Sequence, residues 1–413
     1  MTTRMGARLA HRPALRRSWS RGGAVRLAAV AAATSAATLG LSAVPAGAVP
    51  FVFGNEYTQT NLVSDLPGVA QLQDPHLQNA WGLATPPNGP VWVSDNNGVN
   101  PGSPENVTTV YSGGVNGSPV SGPLLDVTIP GGRASTGDSS SPTGQVWNPT
   151  SDFTVTSSSG SGPASFIFDS ESGQISAWNS TADPIGAGGV STATLESSSP
   201  TAVYKGLAEA TGPNGPDLFA TNFHDGTVDV FNGSFQPVSP SPGMFQFRDP
   251  AIPRGFAPFG IQAFPGNVPL LYVTYALQDA AKHDSVARPG AGFIDVYTTS
   301  GQLVDHFARA RKLNAPWGIA IAPTGFGPFA GDVIVGNFGD GRIDVFNPFG
   351  RFLGQMRDST GQPITIDGLW GLLPGDTTVG GTGNLIFSAG PNDENDGLLG
   401  TLSPASTSST AGA

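Results

Sequence analysis

One pattern recurs six times between Trp81 and Leu402, and it constrains the fold more than any other feature of the chain. Each copy has an opening motif that in most cases reads aromatic-Gly-aliphatic, then an aliphatic run ending in a polar turn, then an apolar strand behind a glycine. The six opening glycines are Gly82, Gly144, Gly206, Gly260, Gly318 and Gly371. They are separated by 62, 62, 54, 58 and 53 residues, and each interval accommodates a four-stranded antiparallel sheet with its loops. The pattern predicts an all-β fold, a six-bladed β-propeller of four-stranded antiparallel blades.

The last copy provides only three strands before the chain ends in a segment rich in Ser, Thr and Ala. A further strand-like segment, residues 57–64, precedes the first opening motif and has no blade of its own. We expect this N-terminal strand to complete the last blade and to close the ring, because closure removes unpaired sheet edges. The propeller should then be a single domain over residues 49–402, followed by a disordered tail at 403–413.

Residues 1–48 have the character of an export signal. Seven arginines precede an uncharged stretch from Leu27 to Ala43, and residues 46–48 read Ala-Gly-Ala, a small-x-small pattern typical of signal peptidase sites. We predict a cleaved signal peptide and a secreted protein with no membrane attachment after cleavage. A retained anchor is the alternative, although spanning a membrane needs roughly 20 strongly apolar residues. Arg16 and Arg17 leave the twin-arginine and general secretory routes both open.

Charge and cysteine content exclude several classes of protein. Without residues 1–48 the chain has 12 basic and 30 acidic residues, so it should repel nucleic acid and attract cations or basic ligands. Cysteine is absent, which excludes disulfides, thiol chemistry and Cys-ligated metals. No Gly-x-Ser-x-Gly sequence in a strand-turn-helix setting indicates a serine nucleophile.

Several motifs together resemble those of uncharacterised exported bacterial proteins related to NHL-type six-bladed propellers. They lie at residues 60–65, 79–83, 141–144, 220–223, 314–320 and 336–341. The resemblance covers nearly all of the mature chain and implies the propeller fold, but that family has no assigned activity to transfer. Some relatives end in a membrane-sorting segment, and this tail departs from that pattern, so a soluble product is expected. We also expect a monomer.

Polar turns between the second and third strands should surround one mouth of the axial channel, where a propeller can bind ligands. The candidate ligand-binding residues are Asp95, Asn96, Asn222, His224, Asp225, Tyr275, Asn337 and Asp340. One interpretation makes Asp95, Asn222 and Asn337 oxygen ligands for Ca²⁺, and a distant resemblance to calcium-dependent lactonase propellers implies the same. The other is that Asp, Asn and Gly simply satisfy the backbone of tight turns.

His224 is the candidate general base, with Asp225 or Asp340 to orient it, although a lone histidine in a turn is more often simply exposed. The fourth copy also carries an insertion, residues 276–290, with the most mixed charges in the chain. We expect it to project over the channel mouth, where Lys282, His283 and Arg288 would be available as a lid or docking loop; a plain insertion is the alternative.

The sequence thus indicates a secreted propeller that binds a small molecule or an extracellular protein or polysaccharide at the channel mouth. The alternative function is a metal-dependent, calcium-type hydrolase or lyase resembling lactonases. No cofactor is certain, and calcium is the candidate. Convergence of three or four Asp and Asn side chains on one point would favour the enzyme, whereas an apolar patch without it would favour binding.

Overall fold

The computed structural model describes residues 56–99, 106–132, 139–266, 268–309 and 312–405. The predicted signal peptide lies outside the described residues, as do residues 406–413 of the predicted tail. The last strand runs to Pro404, two residues past the predicted end of the domain. In the described part of the chain, no helix has the length and apolar character needed to cross a membrane.

Six mainly antiparallel sheets form the blades of a propeller, which confirms the predicted fold class. Blade 1 contains Ala80–Ala84, Val91–Val99, Asn106–Gly113 and Asp126–Thr128; blade 2, Pro142–Trp147, Phe166–Ser170, Gln174–Trp178 and Thr194–Ser198; blade 3, Tyr204–Gly212, Gly215–Asn222, Thr227–Asn232 and Pro237–Val238. Blade 4 contains Phe256–Phe264, Leu270–Leu277, Gly292–Thr298 and Leu303–Ala308; blade 5, Pro316–Ile321, Val333–Asn337, Ile343–Phe346 and Phe352–Gln355; blade 6, Leu369–Pro374, Leu385–Ala389, Leu398–Pro404 and Tyr57–Ser64. We call the four strands of a blade inner, second, third and outer, in that order.

Shorter elements decorate this frame. Val120–Ser121 pairs with the third strand of blade 1, Val190–Thr192 runs parallel to its outer strand, and Leu72–Gln73 runs parallel to Tyr57–Ser64. Thr154–Thr156 and Ser161–Pro163 form a separate hairpin. Three single helix-like turns are also described, at Val115–Gly117, Gly327–Phe329 and Pro391–Glu394, and the last is not a regular α-helix because Asn392, Asp393 and Glu394 have φ values of 58°, 52° and 65°.

The N-terminal strand closes the ring as predicted. Tyr57–Ser64 pairs antiparallel with Leu398–Pro404, with Thr60 opposite Thr401. Leu62 and Val63 are buried, because they face the core that blade 6 shares with blade 1. The ring is therefore sealed by pairing the two ends of the described chain, in a protein without cysteine.

The opening glycines let the inner strands converge. Each inner strand packs against the next, and that of blade 6 packs against that of blade 1. A Cβ atom on Gly371 would lie 2.7 Å from the Trp81 carbonyl oxygen and 2.6 Å from Ser388 Oγ, so a side chain cannot be accommodated there. Hydroxyls of the second strand hold this backbone, because the Gly371 amide donates to Ser388 Oγ at 2.9 Å and that of Gly260 donates to Thr274 Oγ1 at 2.7 Å.

Candidate functional site

Lys205 occupies the position of the opening motif that is aromatic in four of the six copies. Its side chain is only 2% exposed. Trp81, Phe259, Trp317 and Trp370 fill the corresponding places in blades 1, 4, 5 and 6, and Thr143 fills that of blade 2. Because inner strands begin beside the axis, Lys205 places an ammonium group among indole rings at the mouth of the channel.

The tryptophans form a floor beneath this lysine. Lys205 Nζ lies 5.2 Å from the centroid of the Trp81 ring, a distance suited to a cation–π interaction. Trp81 stacks on Trp370 with ring centroids 3.5 Å apart, and Trp317 Nε1 donates to the Lys205 carbonyl oxygen at 2.6 Å. The axial cavity that Trp317 lines with four of the opening glycines has a volume of only about 40 Å³. The aromatic floor thus nearly closes the channel below the lysine.

Two carboxylates hold the ammonium group from neighbouring blades. Glu171, in the turn between the second and third strands of blade 2, accepts a hydrogen bond from Lys205 Nζ. Asp284, in the blade 4 insertion, lies 3.4 Å from Nζ through Oδ1, and the same oxygen lies 2.9 Å from His283 Nδ1. The insertion therefore reaches the channel mouth as the sequence indicated, and Asp284 makes the contact there together with His283.

A chain of hydrogen bonds ties this pair to blades 1 and 6. Trp370 Nε1 donates to Asn79 Oδ1 at 3.1 Å. The amide nitrogen of the same asparagine, Nδ2, donates to Glu394 Oε2 at 2.8 Å and to Asn96 Oδ1 at 3.2 Å. Asn96 Nδ2 in turn donates to Glu171 Oε2 at 3.1 Å. We name Glu171, Lys205, His283, Asp284 and Glu394 the mouth cluster, to which five of the six blades contribute directly or through these asparagines.

Contacts within the mouth cluster shift the pKa values of its members and keep Lys205 and Asp284 charged. Burial alone would lower the pKa of Lys205, but attraction by Glu171 and Asp284 outweighs it, and the pKa is raised. The hydrogen bond from His283, opposed by partial burial and supported by the Lys205 charge, lowers the pKa of Asp284 to about 2. The same hydrogen bond raises the pKa of His283, and burial raises that of Glu394. Lys205 is therefore an ammonium ion at neutral pH, a donor and a counter-ion but not a nucleophile.

Metal binding at the mouth cluster is limited by that ammonium group. Glu171, His283 and Asp284 present ligand atoms within 4.8 Å of one another, an arrangement that can hold a cation. A calcium ion, however, takes six to eight oxygen ligands, and Lys205 already donates to both carboxylates. The residues present fit a tethered ammonium better than a divalent ion.

In a second acidic group, too, a basic side chain already pairs with the carboxylates. Asp249, Asp295 and His306 also present ligand atoms within 4.8 Å of one another, at blade 4 and the connection that leads into it. Arg309 donates to Asp249 and lies 3.6 Å from Asp295, so a basic side chain again neutralises the carboxylates.

The three residues expected to bind calcium form hydrogen bonds within their own blades. All three residues, Asp95, Asn222 and Asn337, are buried, and each forms a hydrogen bond with the third strand of its own blade. Asp95 accepts from Thr109 Oγ1 at 2.7 Å. Asn222 donates to Asp229 at 2.9 Å, and Asn337 donates to Asp344 at 3.1 Å. Within the described residues, no hydrogen bond or ion pair joins any two of these three. Calcium binding by them therefore stays a prediction.

The other expected ligand-binding residues are divided among several places. Asn96 contacts the mouth cluster through Glu171. His224 lies 3.1 Å from Asp225 in the blade 3 turn and is 37% exposed, and Asp340 accepts from the Arg342 amide in the blade 5 turn. Tyr275 is buried, with its hydroxyl 2.7 Å from that of Tyr297. Neither His224 nor Asp340 contacts the mouth cluster through a hydrogen bond or ion pair recorded for the described chain.

Sequence reasoning missed four residues of the site: Lys205, Glu171, Asp284 and Glu394. A signal for the first was present, since Lys205 is the one charged residue among the six opening motifs. The sequence contains no such signal for the three carboxylates. Each lies in a polar turn or insertion, and it joins the mouth cluster only because the ring brings the blades together.

Comparisons with known proteins place the chain among relatives without an assigned activity. No protein-family model matches it. Uncharacterized protein R648 of Acanthamoeba polyphaga mimivirus is 31% identical over 348 residues, which cover 83% of this chain and 78% of that protein. Uncharacterized protein L690 of the same virus is 30% identical over 343 residues, covering 83% and 84% respectively. Both are viral, so the expected bacterial membership of the family stays a prediction.

A solved structure aligns with most of the chain. Virginiamycin B lyase from Staphylococcus aureus aligns with 84% of this chain and 99% of its own, at 13% identity and a TM-score of 0.45. Identity this low carries no statement about activity.

Proposed function

We propose that this chain, which belongs to the family of the uncharacterised mimivirus proteins R648 and L690, is a binding protein that holds a small polar ligand at the mouth cluster. One observation carries the proposal: a lysine is buried at a position where most copies of the motif place an aromatic ring. Burying an ion pair costs several kcal/mol per ion, and an apolar side chain would often be at least as stable. A buried charge that lowers stability and is held by several blades is expected at a functional site.

The chemistry of the site favours a ligand that donates hydrogen bonds. Among the described residues, Asp284 Oδ2 and Glu394 Oε1 accept no hydrogen bond, although the other oxygen of each carboxylate does. Asp284 is 69% exposed, so its free oxygen is accessible to solvent. Three carboxylates outnumber Lys205 even when His283 is also protonated, so the mouth cluster has a net negative charge and attracts a cationic ligand. We therefore infer an amine-bearing ligand, such as an amino sugar or an aliphatic amine.

Secretion belongs to the same proposal. An export signal at residues 1–48 would deliver the propeller outside the cell, where an extracellular protein or a polysaccharide with amino groups could present the same donors as a small molecule. The acidic surface argues against nucleic acid as the partner.

Thermal unfolding of the full chain tests the proposal. Amino sugars and aliphatic amines are added alongside neutral sugars, to the wild type and to the double variant Asp284→Asn/Glu394→Gln. Amine-bearing compounds should raise the melting temperature of the wild type and leave the double variant unchanged. Asp305→Asn, an exposed change in the outer strand of blade 4, is the matched control and should respond like the wild type. Equal responses of the two forms, or no response to any amine, would refute the site.

A metal-dependent hydrolase or lyase of lactonase type is the second candidate, favoured by the three ligand atoms of Glu171, His283 and Asp284. It requires a divalent ion to displace Lys205 from its carboxylates. Thermal unfolding in a chelator and in added Ca²⁺ separates the two functions. A rise in melting temperature that Asp284→Asn abolishes would favour the enzyme, whereas no rise supports the binding protein.

A further inference from the structure

A second cavity opens between blades 3 and 4, away from the mouth cluster. Its volume is about 590 Å³, within the range of small-molecule sites, and no member of the mouth cluster lines it. Its walls come from the turn at Gly226, from the segment between the blades around residues 247–254, and from the inner and second strands of blade 4.

Much of the wall is apolar and aromatic. Ile252 and Phe256 are half-buried and line the cavity, as does the buried ring of Tyr275. The hydroxyl of Tyr275 is occupied by Tyr297, so its ring offers the cavity mainly a hydrocarbon face. Phe256 is in turn fixed by an edge-to-face contact with Phe293, with ring centroids 5.0 Å apart. These contacts provide a preformed surface for an aromatic or aliphatic group.

Two arginines give the cavity a charge opposite to that of the rest of the protein. Arg248 and Arg254 line it, are exposed, and form no ion pair with any residue in the described ranges. They are two of the 12 basic residues that follow position 48, against 30 acidic ones. Lys205 and Arg309 are paired with carboxylates, whereas these two guanidinium groups keep their donors free.

The acids near the cavity are already engaged. Asp249 also lines it, but its side chain is 1% exposed and is paired with Arg309 and His306. Asp225, next to Gly226, accepts a hydrogen bond from Asn222 Nδ2 and lies 3.1 Å from His224. The free charge on the cavity walls is therefore positive.

The segment that carries the arginines is held in place by strained anchors. Phe245 and Phe247 have φ values of 56° and 41°, unusual for bulky residues, and both are buried. Phe247 makes edge-to-face contacts with Phe219 of blade 3 and with Tyr297 of blade 4. Backbone strain of this kind persists where the surrounding packing over-determines it, and it often accompanies binding sites.

We propose that this cavity binds an aromatic or aliphatic monoanion, a carboxylate or sulfonate whose acid group pairs with Arg248 and Arg254 while its hydrocarbon part lies against Phe256 and Tyr275. Arginine presents planar, paired donors that match such groups. The site differs from the mouth cluster in the sign of its charge and in the ligand it selects.

Fluorescence titration of the full chain with two naphthalene dyes tests this inference. 8-Anilinonaphthalene-1-sulfonate has the anion and the rings, and N-phenyl-1-naphthylamine has the rings alone. The sulfonate should bind at one site with higher affinity than the neutral dye. Arg248→Gln/Arg254→Gln should weaken sulfonate binding by about tenfold or more and leave the neutral dye unchanged, because only the charged hydrogen bonds are lost.

Arg351→Gln, an exposed arginine of blade 5 outside the cavity, is the matched control and should bind the sulfonate like the wild type. Circular dichroism and the melting temperature establish that each variant is folded, since a partly folded form with exposed apolar surface would bind both dyes. Unaltered sulfonate affinity in the double variant, or an equal loss in Arg351→Gln, would overturn the proposal.

Discussion

At the scale of single residues, the mouth cluster depends on one substitution of lysine for an aromatic side chain. Lys205 gains Glu171, Asp284 and the face of Trp81 as partners, and these compensate for its removal from water. The contacts come from three other blades, so their loss would be felt across the ring.

Lys205→Met should lower the free energy of unfolding by about 3–5 kcal/mol, because Glu171 would remain buried without its counter-ion. Lys205→Met/Glu171→Gln should cost less than the sum of the two single changes, with a coupling energy of about 1–3 kcal/mol. Urea unfolding of the four proteins gives both quantities. Lys282→Met, on the exposed part of the insertion, is the control and should stay within about 0.5 kcal/mol of the wild type. Additive effects would show that the ion pair contributes nothing.

The raised pKa of Asp169 leads to a separate prediction about how stability depends on pH. Burial raises its pKa to about 7, although Thr143 and the Gly144 amide both donate to Oδ1. A carboxyl group with a raised pKa takes up a proton on folding, so its unfavourable effect grows as the pH rises from about 4 and is complete above about 7. The wild type should lose about 3 kcal/mol of stability from this group between pH 5 and pH 8, since about two pKa units, at about 1.4 kcal/mol each, separate pH 5 from the raised pKa.

Asp169→Asn removes the titration while keeping an oxygen for both donors. Urea unfolding at pH 5 and pH 8 should therefore show a smaller difference in this variant than in the wild type. A difference of the same size in both would mean that Asp169 does not titrate in this range.

At the scale of elements, the strand Tyr57–Ser64 has a role that no other outer strand has. It joins the beginning of the described chain to blade 6, and Tyr57 reaches blade 5 by donating to the Phe326 carbonyl oxygen at 2.9 Å. Leu62 and Val63 are buried in the core between blades 6 and 1. Losing this strand would expose an edge of blade 6 and open the ring.

Thr60→Pro should therefore destabilise the whole propeller by about 3 kcal/mol or more, because proline removes a backbone donor within a paired strand. Leu353→Pro places the same residue in the outer strand of blade 5, at a register shift where no residue lies directly opposite, and should cost clearly less. Urea unfolding compares them. Equal losses would mean that ring closure adds no stability beyond that of an ordinary edge strand.

The elements themselves could be predicted from the sequence, whereas the site could not. The spacing of glycines such as Gly82 and Gly371 locates the inner strands because each blade repeats one local pattern. Asn337 shows why the site could not: its side chain bonds to Asp344 within its own blade, a partner that the turn pattern alone does not indicate. Lys205 and Asp284 are 79 residues apart, and no local pattern indicates that two different blades bring them together.

At the scale of the whole molecule, negative charge dominates. The complete chain has a formal net charge of −11 with only 12% charged residues, so few opposite charges offset the repulsion. Raising NaCl from 10 mM to 150 mM shortens the Debye length from about 30 Å to about 8 Å and should raise the melting temperature. A decrease would mean that surface ion pairs contribute more to stability than repulsion removes.

The account of the channel mouth is tested most directly by lysine acetylation followed by peptide mass spectrometry. The sequence contains three lysines, of which Lys282 and Lys312 are exposed and Lys205 is buried beneath the blade 4 insertion. With acetic anhydride under native conditions, Lys282 and Lys312 should be modified rapidly and Lys205 protected at least tenfold, with protection lost in urea. Acetylation of Lys205 at the rate of the two exposed lysines would contradict a buried ammonium group at the centre of the site.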